Sequence, residues 1–195
     1  MRPIYYLLPF PAIALSGVAV SGTASPTPAP AEIVRVGESE IILPSPPGYF
    51  RFDGWVEELN RAFEESVPES NRLLAVFASE QDVARVRQNE SPKFERHLRA
   101  ESYRELEDMI TSTEFEELES GFRTDSEFTV FDETQDSIVF SIKSGGVGGV
   151  VKVRDRVILL LCYSEDTGRS DTNWMKATVK QWRDKILAAN PFTAT

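Results

Sequence analysis

Apolar and polar positions along the chain follow two different spacings, and each spacing predicts one kind of secondary structure. Residues 73–78 and 157–163 are short, uninterrupted apolar runs, which are typical of strands buried on both faces. Residues 55–66 and 170–190 carry apolar side chains about four positions apart, which predicts amphipathic helices. The sequence therefore indicates a sheet that helices cover on both faces.

Shorter patterns predict the remaining elements. Ser79 is a capping signal for a helix at 80–88, and Thr111 is the capping signal of another helix that follows it. Residues 103–110 are predicted to be helical, whereas 94–102 fit a helix or a strand, and we favour a strand. Further strands are predicted at 33–36, 40–43, 128–131, 137–142 and 150–153, the last joined to 157–163 by a turn at 154–156, and a flexible connection is predicted at 144–149.

Together these elements predict an α+β fold with a mainly antiparallel sheet and helices on both faces. The links between the late strands are short. Short links join antiparallel neighbours, since parallel neighbours need a long crossover connection. The apolar runs on two strands require cover above and below the sheet.

Three places in the chain resemble the PsbP-like fold, an α/β/α sandwich of small exported or lumenal proteins. The first is the opening at 41–49, where a strand is followed by prolines, a glycine and an aromatic residue. The second is the late hairpin that ends in 157–163. The third is the last helix, with Trp182 and Ile186 shortly before an Asn-Pro pair.

A second resemblance is to uncharacterised bacterial exported proteins. They have a similar Leu-Pro-x-Pro-x-Gly opening, here at 43–48, and a similar Arg-Leu-Leu-Ala-Val-Phe strand, here at 72–77. The resemblances cover most of residues 38–191. They imply an accessory or scaffolding protein rather than a catalyst, and they carry no catalytic residues to this chain.

The first residues have the layout of a secretory signal peptide. Arg2 gives a positive start, residues 4–20 are almost wholly apolar and uncharged, and small residues follow up to Ala24. We therefore predict a signal peptide at 1–24. An uncleaved N-terminal membrane anchor is the alternative.

The rest of the chain is predicted to form one domain. Residues 25–37 are expected to be a Pro-rich linker, because their proline-rich start cannot form helix or sheet ladders. A single α/β domain is predicted at 38–191, with a short tail at 192–195. This length suits one hydrophobic core and not two.

Acidic residues outnumber basic ones in this sequence. There are 31 Asp and Glu against 21 Lys and Arg, for a formal net charge of -10. This balance argues against nucleic-acid binding, which needs cationic side chains on phosphates, and it gives no polybasic attraction to anionic lipid. The single Cys excludes an internal disulfide, and one His with one Cys cannot build a thiolate and imidazole metal cage within one chain.

Several short motifs suggest chemistry but lack the context that the chemistry needs. Residues 166–168 match the Asp-Thr-Gly of aspartic proteases without a second copy to share the proton. Residues 145–149 are glycine-rich but lead into a strand, not into the helix of a phosphate loop. Cys162 falls inside an apolar strand, whereas His97 lies among charged residues. The acids within 101–119 lack the spacing of a calcium loop. We therefore predict no catalytic, cofactor-binding or metal-binding residues.

One aromatic group is left as a candidate partner patch. Phe50, Phe52 and Trp55 lie close together in the sequence, and an exposed patch of such side chains would mark a partner site.

The sequence thus predicts an exported protein, periplasmic or extracellular, that acts as a non-catalytic accessory or binding protein for an unknown protein or small ligand. No cofactor, no nucleic-acid partner and no stable membrane insertion after signal cleavage are expected. One alternative is a cofactor-independent hydrolase that uses acidic residues, with Asp166 as the candidate. Another is a structural subunit of an envelope assembly.

Overall fold

A computed structural model describes residues 32–166 and 168–191 of the chain. The predicted signal peptide, most of the predicted linker, the tail at 192–195 and Thr167 lie outside the described residues. The described strands are β1 (Glu32–Val36), β2 (Ser39–Leu43), β3 (Tyr49–Arg51), β4 (Asn71–Ser79), β5 (Arg96–Tyr103), β6 (Phe128–Thr134), β7 (Ser137–Ile142), β8 (Val147–Val153) and β9 (Arg156–Ser164). The described α-helices are α1 (Glu57–Ser66), α2 (Glu80–Arg87), α3 (Ser112–Thr124) and α4 (Arg169–Ala189).

Seven of these strands form one antiparallel sheet. Their order is β3-β4-β5-β9-β8-β7-β6, and β1 pairs with β2 in a separate hairpin. The two uninterrupted apolar runs of the sequence lie in β4 and β9, which both have a neighbour on each side. The prediction of an α+β fold with a mainly antiparallel sheet is confirmed.

Helices cover both faces of the sheet, and β9 shows how the two faces separate. Its residues alternate between two cores: Cys162 belongs to the core under α4, and Leu161 to the core under α3. The β1–β2 hairpin shares the face of α4, where the indole of Trp182 is fully buried. A third core lies under α1 and α2. Since β9 is covered above and below, it can be apolar throughout.

Hydrogen bonds between residues far apart in the sequence fix the β1–β2 hairpin to α4 and the residue that follows it. The Asn190 side chain accepts from the Ile42 amide at 2.9 Å and donates to the Ile42 carbonyl at 2.7 Å. The Trp182 indole donates to the Pro44 carbonyl at 2.7 Å. Val34 and Val36, which the sequence assigned to the linker at 25–37, are buried in the core. The folded domain therefore includes residues from Glu32, and not only from residue 38.

Two other local predictions are wrong, and the sheet explains both. Residues 103–110 do not form an α-helix, because Tyr103 pairs with Asn71 at the end of β5 and only a 3-10 turn (Arg104–Leu106) follows. The connection predicted at 144–149 is shorter, because Gly148 and its neighbours belong to β8. The strand that we favoured for 94–102 is confirmed as β5, between β4 and β9.

None of the helices in the described part of the chain is long and apolar enough to cross a membrane.

Candidate functional site

A cleft of about 850 Å³ opens at one end of the main sheet. β4 and β9 end there and β5 begins there, because antiparallel neighbours bring opposite ends of strands together. The register pairs Tyr49 with Ser79 and Arg96 with Ser164, so these four residues share the edge that borders the cleft. The first turns of α2 and α4 complete its walls.

Arg96 is held in place at the wall of this cleft by Asp171 and Trp174. Its Nη2 lies 2.6 Å from Oδ1 of Asp171 and its Nε lies 3.2 Å from Oδ2, so the pair is bidentate. The guanidinium carbon stands 4.6 Å from the centroid of the Trp174 ring. Asp171 also accepts a hydrogen bond from the Ser164 hydroxyl. We call Arg96, Asp171, Trp174 and Ser164 the Arg96 clamp.

The Arg96 clamp is charged and half open to solvent. Hydrogen bonds from Arg96 and Ser164 hold the pKa of Asp171 below its ordinary value. The Arg96 side chain is 43% exposed, whereas that of Asp171 is 7% exposed. Asp171 takes two of the five guanidinium N–H donors, so the rest can face a ligand in the cleft.

Residues 88–95, between α2 and β5, form another wall and are called the cleft loop. Asp82, in the first turn of α2, pins this loop: its carboxylate accepts from the amides of Lys93 at 2.7 Å and Phe94 at 3.1 Å. Ser79 caps α2 as predicted and donates to the same carboxylate at 2.7 Å.

The cleft loop ends in an unusual backbone conformation. Phe94 has a φ of 54°, in the left-handed region that bulky residues rarely adopt. Its buried ring packs edge-on against Phe52 at 5.3 Å and Phe63 at 5.1 Å between centroids. Since aromatic packing and the Asp82 carboxylate both hold Phe94, the surroundings support a conformation that costs energy by itself.

Acidic groups exceed basic groups in the lining of the cleft. Each of its cationic side chains already has a carboxylate partner: Arg85 with Glu90 at 3.4 Å, Lys93 with Glu95 at 3.3 Å, and Arg96 with Asp171. Among the described residues, four lining carboxylates are in no ion pair: Asp82, which holds the cleft loop, and Glu80, Glu165 and Asp166. The cleft therefore presents both signs of charge with a negative excess.

The three aromatic residues predicted as a partner patch do not share one surface. Phe52 is fully buried in the core under α1 and α2. Its amide donates to the Val76 carbonyl at 2.8 Å, which holds this residue against β4. Trp55 is partly buried and stacks on Phe52 at 5.6 Å between centroids. Phe50 is 38% exposed. Phe52 is thus unable to contact a partner, and partner binding by Phe50 and Trp55 stays a prediction.

Cys162 and His97 lie on opposite faces of the sheet. Cys162 pairs with Leu98 and points into the core under α4, where burial raises the pKa of its thiol. His97 pairs with Tyr163, one position along the strand, and its side chain therefore points to the other face. The two side chains cannot form a nucleophile and base pair.

Asp166 lies in a turn at the rim of the cleft. Its side chain is exposed, and Oδ1 accepts from the amide of Gly168 at 2.8 Å. Thr167, the middle residue of the Asp-Thr-Gly motif, lies outside the described residues. Within the described ranges, no group of three or more His, Cys, Asp or Glu residues could hold a metal ion.

Sequence reasoning missed the residues that build the Arg96 clamp. Arg96 and Asp171 are separated by 75 positions, and neither belongs to a motif. Both residues are polar and lie near the start of an element, a position that many solvent-facing residues share.

Comparisons with known proteins identify no relative. No family model, curated protein or solved structure gives a significant match. The resemblance to the PsbP-like fold therefore stays a prediction from the sequence, and the function has to be argued from the cleft.

Proposed function

We propose that this protein is an exported, non-catalytic binding protein and that a small ligand, or a short segment of a partner, binds in the cleft. The observation that carries the proposal is the Arg96 clamp, a half-exposed guanidinium held by a buried carboxylate and an aromatic ring. A group that is already fixed loses little freedom on binding, so preorganisation favours affinity.

The positions of the reactive side chains support a role without catalysis. The Cys162 thiol is buried and its pKa is raised, which disfavours the nucleophilic thiolate. Arg99 and Glu101 are buried in a pair whose Nε and Oε1 atoms are 2.5 Å apart, away from solvent. Asp166 is exposed in a polar turn and not enclosed with a second carboxylate, which the acid chemistry of an aspartic protease needs.

The lining of the cleft indicates which probes to use. Because carboxylates without an ion-pair partner border it beside the Arg96 clamp, a ligand that carries an amine together with a carboxylate or carbonyl would complement both signs of charge. Free amino acids, diamines and dipeptides provide these groups.

Thermal unfolding of the full chain with these probes tests the proposal. A probe that binds the folded state raises the melting temperature, with a stabilisation of about 2.7 kcal/mol at a hundredfold excess over Kd. We expect at least one probe to raise it in the wild type, and the rise to be lost in Arg96→Gln.

Arg61→Gln is the matched control. The Arg61 side chain is 64% exposed on α1 and pairs with Glu57 at 3.6 Å, outside the cleft lining. The probe-induced rise should be unchanged in this variant. A rise that survives Arg96→Gln, or a panel without any stabilising probe, would count against the cleft as the binding site. Turnover that disappears in Asp166→Asn would favour the hydrolase alternative.

A further inference from the structure

The one histidine of the sequence lies directly beneath the cleft loop. His97 is the second residue of β5, and its Nδ1 donates to the carbonyl of Phe94 at 3.2 Å. Its ring stacks on Tyr163 at 5.3 Å between centroids and is 6.0 Å from Phe63 and 6.2 Å from Phe94. The imidazole is thus surrounded by aromatic rings, and Phe94, in the last part of the cleft loop, covers one side of it.

The segment around Phe94 that covers His97 also forms a wall of the cleft. Lys93 and Glu95, on either side of Phe94, both line the cleft. The Glu95 carbonyl accepts from the amide of Glu165, across the cleft end of the sheet, at 2.9 Å. Movement of Phe94 therefore changes the shape of the cleft.

Within the described residues, the groups that act on His97 oppose each other. The Phe94 carbonyl and Asp82, at the start of α2, favour a positive charge on the ring, whereas Arg99, on the same strand, disfavours it. Phe63 from α1 and Tyr163 from β9 pack their rings against it. Burial dominates and lowers the pKa of His97 from 6.5 to about 4.

We propose that protonation of His97 releases the cleft loop, so that acidification opens this wall of the cleft. The buried imidazolium lacks hydration, and this cost outweighs the favourable hydrogen bond to the Phe94 carbonyl, whereas the ring is hydrated once Phe94 has moved away. Opening and proton uptake are therefore linked, and each favours the other. The consequence for ligand binding rests on the proposed function, whereas the opening itself does not.

The two pKa values fix the size of the expected effect. If His97 has its ordinary pKa of 6.5 in the open form and about 4 in the closed form, the opening equilibrium constant at pH 4.5 is about 75-fold larger than at pH 8. The change begins below about pH 6.5 and levels off below about pH 4.

Amide hydrogen exchange of the full chain, corrected for intrinsic rates, tests the inference between pH 8 and pH 4.5. Three backbone amides are the reporters. Those of Lys93 and Phe94 donate hydrogen bonds to the Asp82 carboxylate, and that of Glu165 donates to the Glu95 carbonyl. We expect their opening constants to rise by 50- to 100-fold, with a much smaller rise for amides of β8 and β9.

Two variants identify the group that titrates. His97→Asn retains an N–H donor near the position of Nδ1 but takes up no proton, so the pH response of the reporters should disappear. Asp82→Asn removes the other titratable side chain that holds the loop. The loop should then open more at every pH, and the response of the Glu165 amide to pH should persist.

Uniform acceleration of all amides, or an unchanged pH response in His97→Asn, would overturn the inference. If His97→Asn does not fold, the wild-type comparison of the reporters with β8 and β9 decides. The test needs no ligand, so it is independent of the proposed function. Loop opening without any stabilising probe would refute only the function, and probe binding without loop opening would refute only the inference.

Discussion

Gly148 and Phe140 face each other on β8 and β7, and their packing depends on the absence of a side chain at position 148. A Cβ on Gly148 would lie 2.5 Å from Cε2 of Phe140, closer than nonbonded carbon atoms approach. The Phe140 ring is itself confined, with its centroid 4.5 Å from that of Phe122 and 5.0 Å from that of Phe128. It has little room to move away.

We expect Gly148→Ala to lower the free energy of unfolding by about 1–3 kcal/mol, because the added methyl group overpacks the core. Urea unfolding measures the change. The loss should be smaller in a Phe140→Leu background, which removes the ring atoms that the methyl group meets. An equal loss in both backgrounds would show that Phe140 is not the obstacle.

Residues such as Arg99 and Glu101 mark the limit of what the sequence predicts at this scale. They are polar residues in a polar stretch, yet they are almost fully buried on β5. Glu101 also accepts from the buried Asn71 side chain at 2.7 Å. No local pattern identifies them as interior, because the side chains that enclose the pair, Asn71 of β4 and Tyr163 of β9, come from other strands and depend on the tertiary fold.

Helix α3 begins at a capping box. Thr111 accepts from the amide of Glu114 at 3.2 Å, and the Glu114 carboxylate accepts from the amide of Thr111 at 2.9 Å. Two amides at the start of the helix are thereby satisfied.

Thr111→Ala should lower the free energy of unfolding by about 1 kcal/mol, since one of these hydrogen bonds is lost. Thr113→Ala is the matched control, because Thr113 is exposed in the same turn and does not cap the helix. Chemical denaturation of both variants checks the prediction. Equal losses would contradict the role of the capping box.

Elements that local signals define were predicted well. Ser79 and Thr111 marked the starts of α2 and α3, because a cap acts within one turn of the chain. The helix predicted at 103–110 failed, because its first residue is bound into the sheet by Asn71, more than thirty positions earlier. A pairing between strands so far apart in the sequence produces no local pattern of apolar and polar positions.

Stability of the whole molecule should fall as the pH drops from about 6.5 to about 4. The pKa of His97 in the folded chain, about 4, is below its ordinary value of 6.5. The unfolded chain therefore binds the proton more readily in this window, and the stabilisation that is complete at neutral pH is lost. The shift corresponds to a loss of roughly 3 kcal/mol at most.

Urea unfolding at pH 7 and pH 4.5 measures this loss, and His97→Asn should reduce it. Glu107, whose pKa lies below its ordinary value of 4.5, adds a smaller loss near the lower pH, and this loss is the same in wild type and His97→Asn. The lowered pKa of Asp171 affects stability only below its ordinary value of 3.8, and burial raises the pKa of Glu101, which favours the folded chain on acidification. The same loss in wild type and His97→Asn would contradict the assignment.

The cleft is a property of the whole molecule, and the sequence did not predict it. Its walls come from four separated parts of the chain: β3, the end of β4 with the start of α2, the cleft loop with the start of β5, and the end of β9 with the start of α4. The sheet order brings them together, and that order places β5 beside β9. The fold class followed from apolar spacing and short links between strands, whereas the location of the cleft required the order of the strands.

The contact between Asn190 and Ile42 limits how early the fold can be completed during synthesis of the chain. The partners are 148 positions apart, so a chain emerging from a ribosome has made both hairpin strands long before it has made the residue that fastens them. Closing so long a loop is entropically costly and comes late in folding. A nascent chain that lacks α4 leaves the apolar side of this hairpin, including Val34 and Ile41, without its cover.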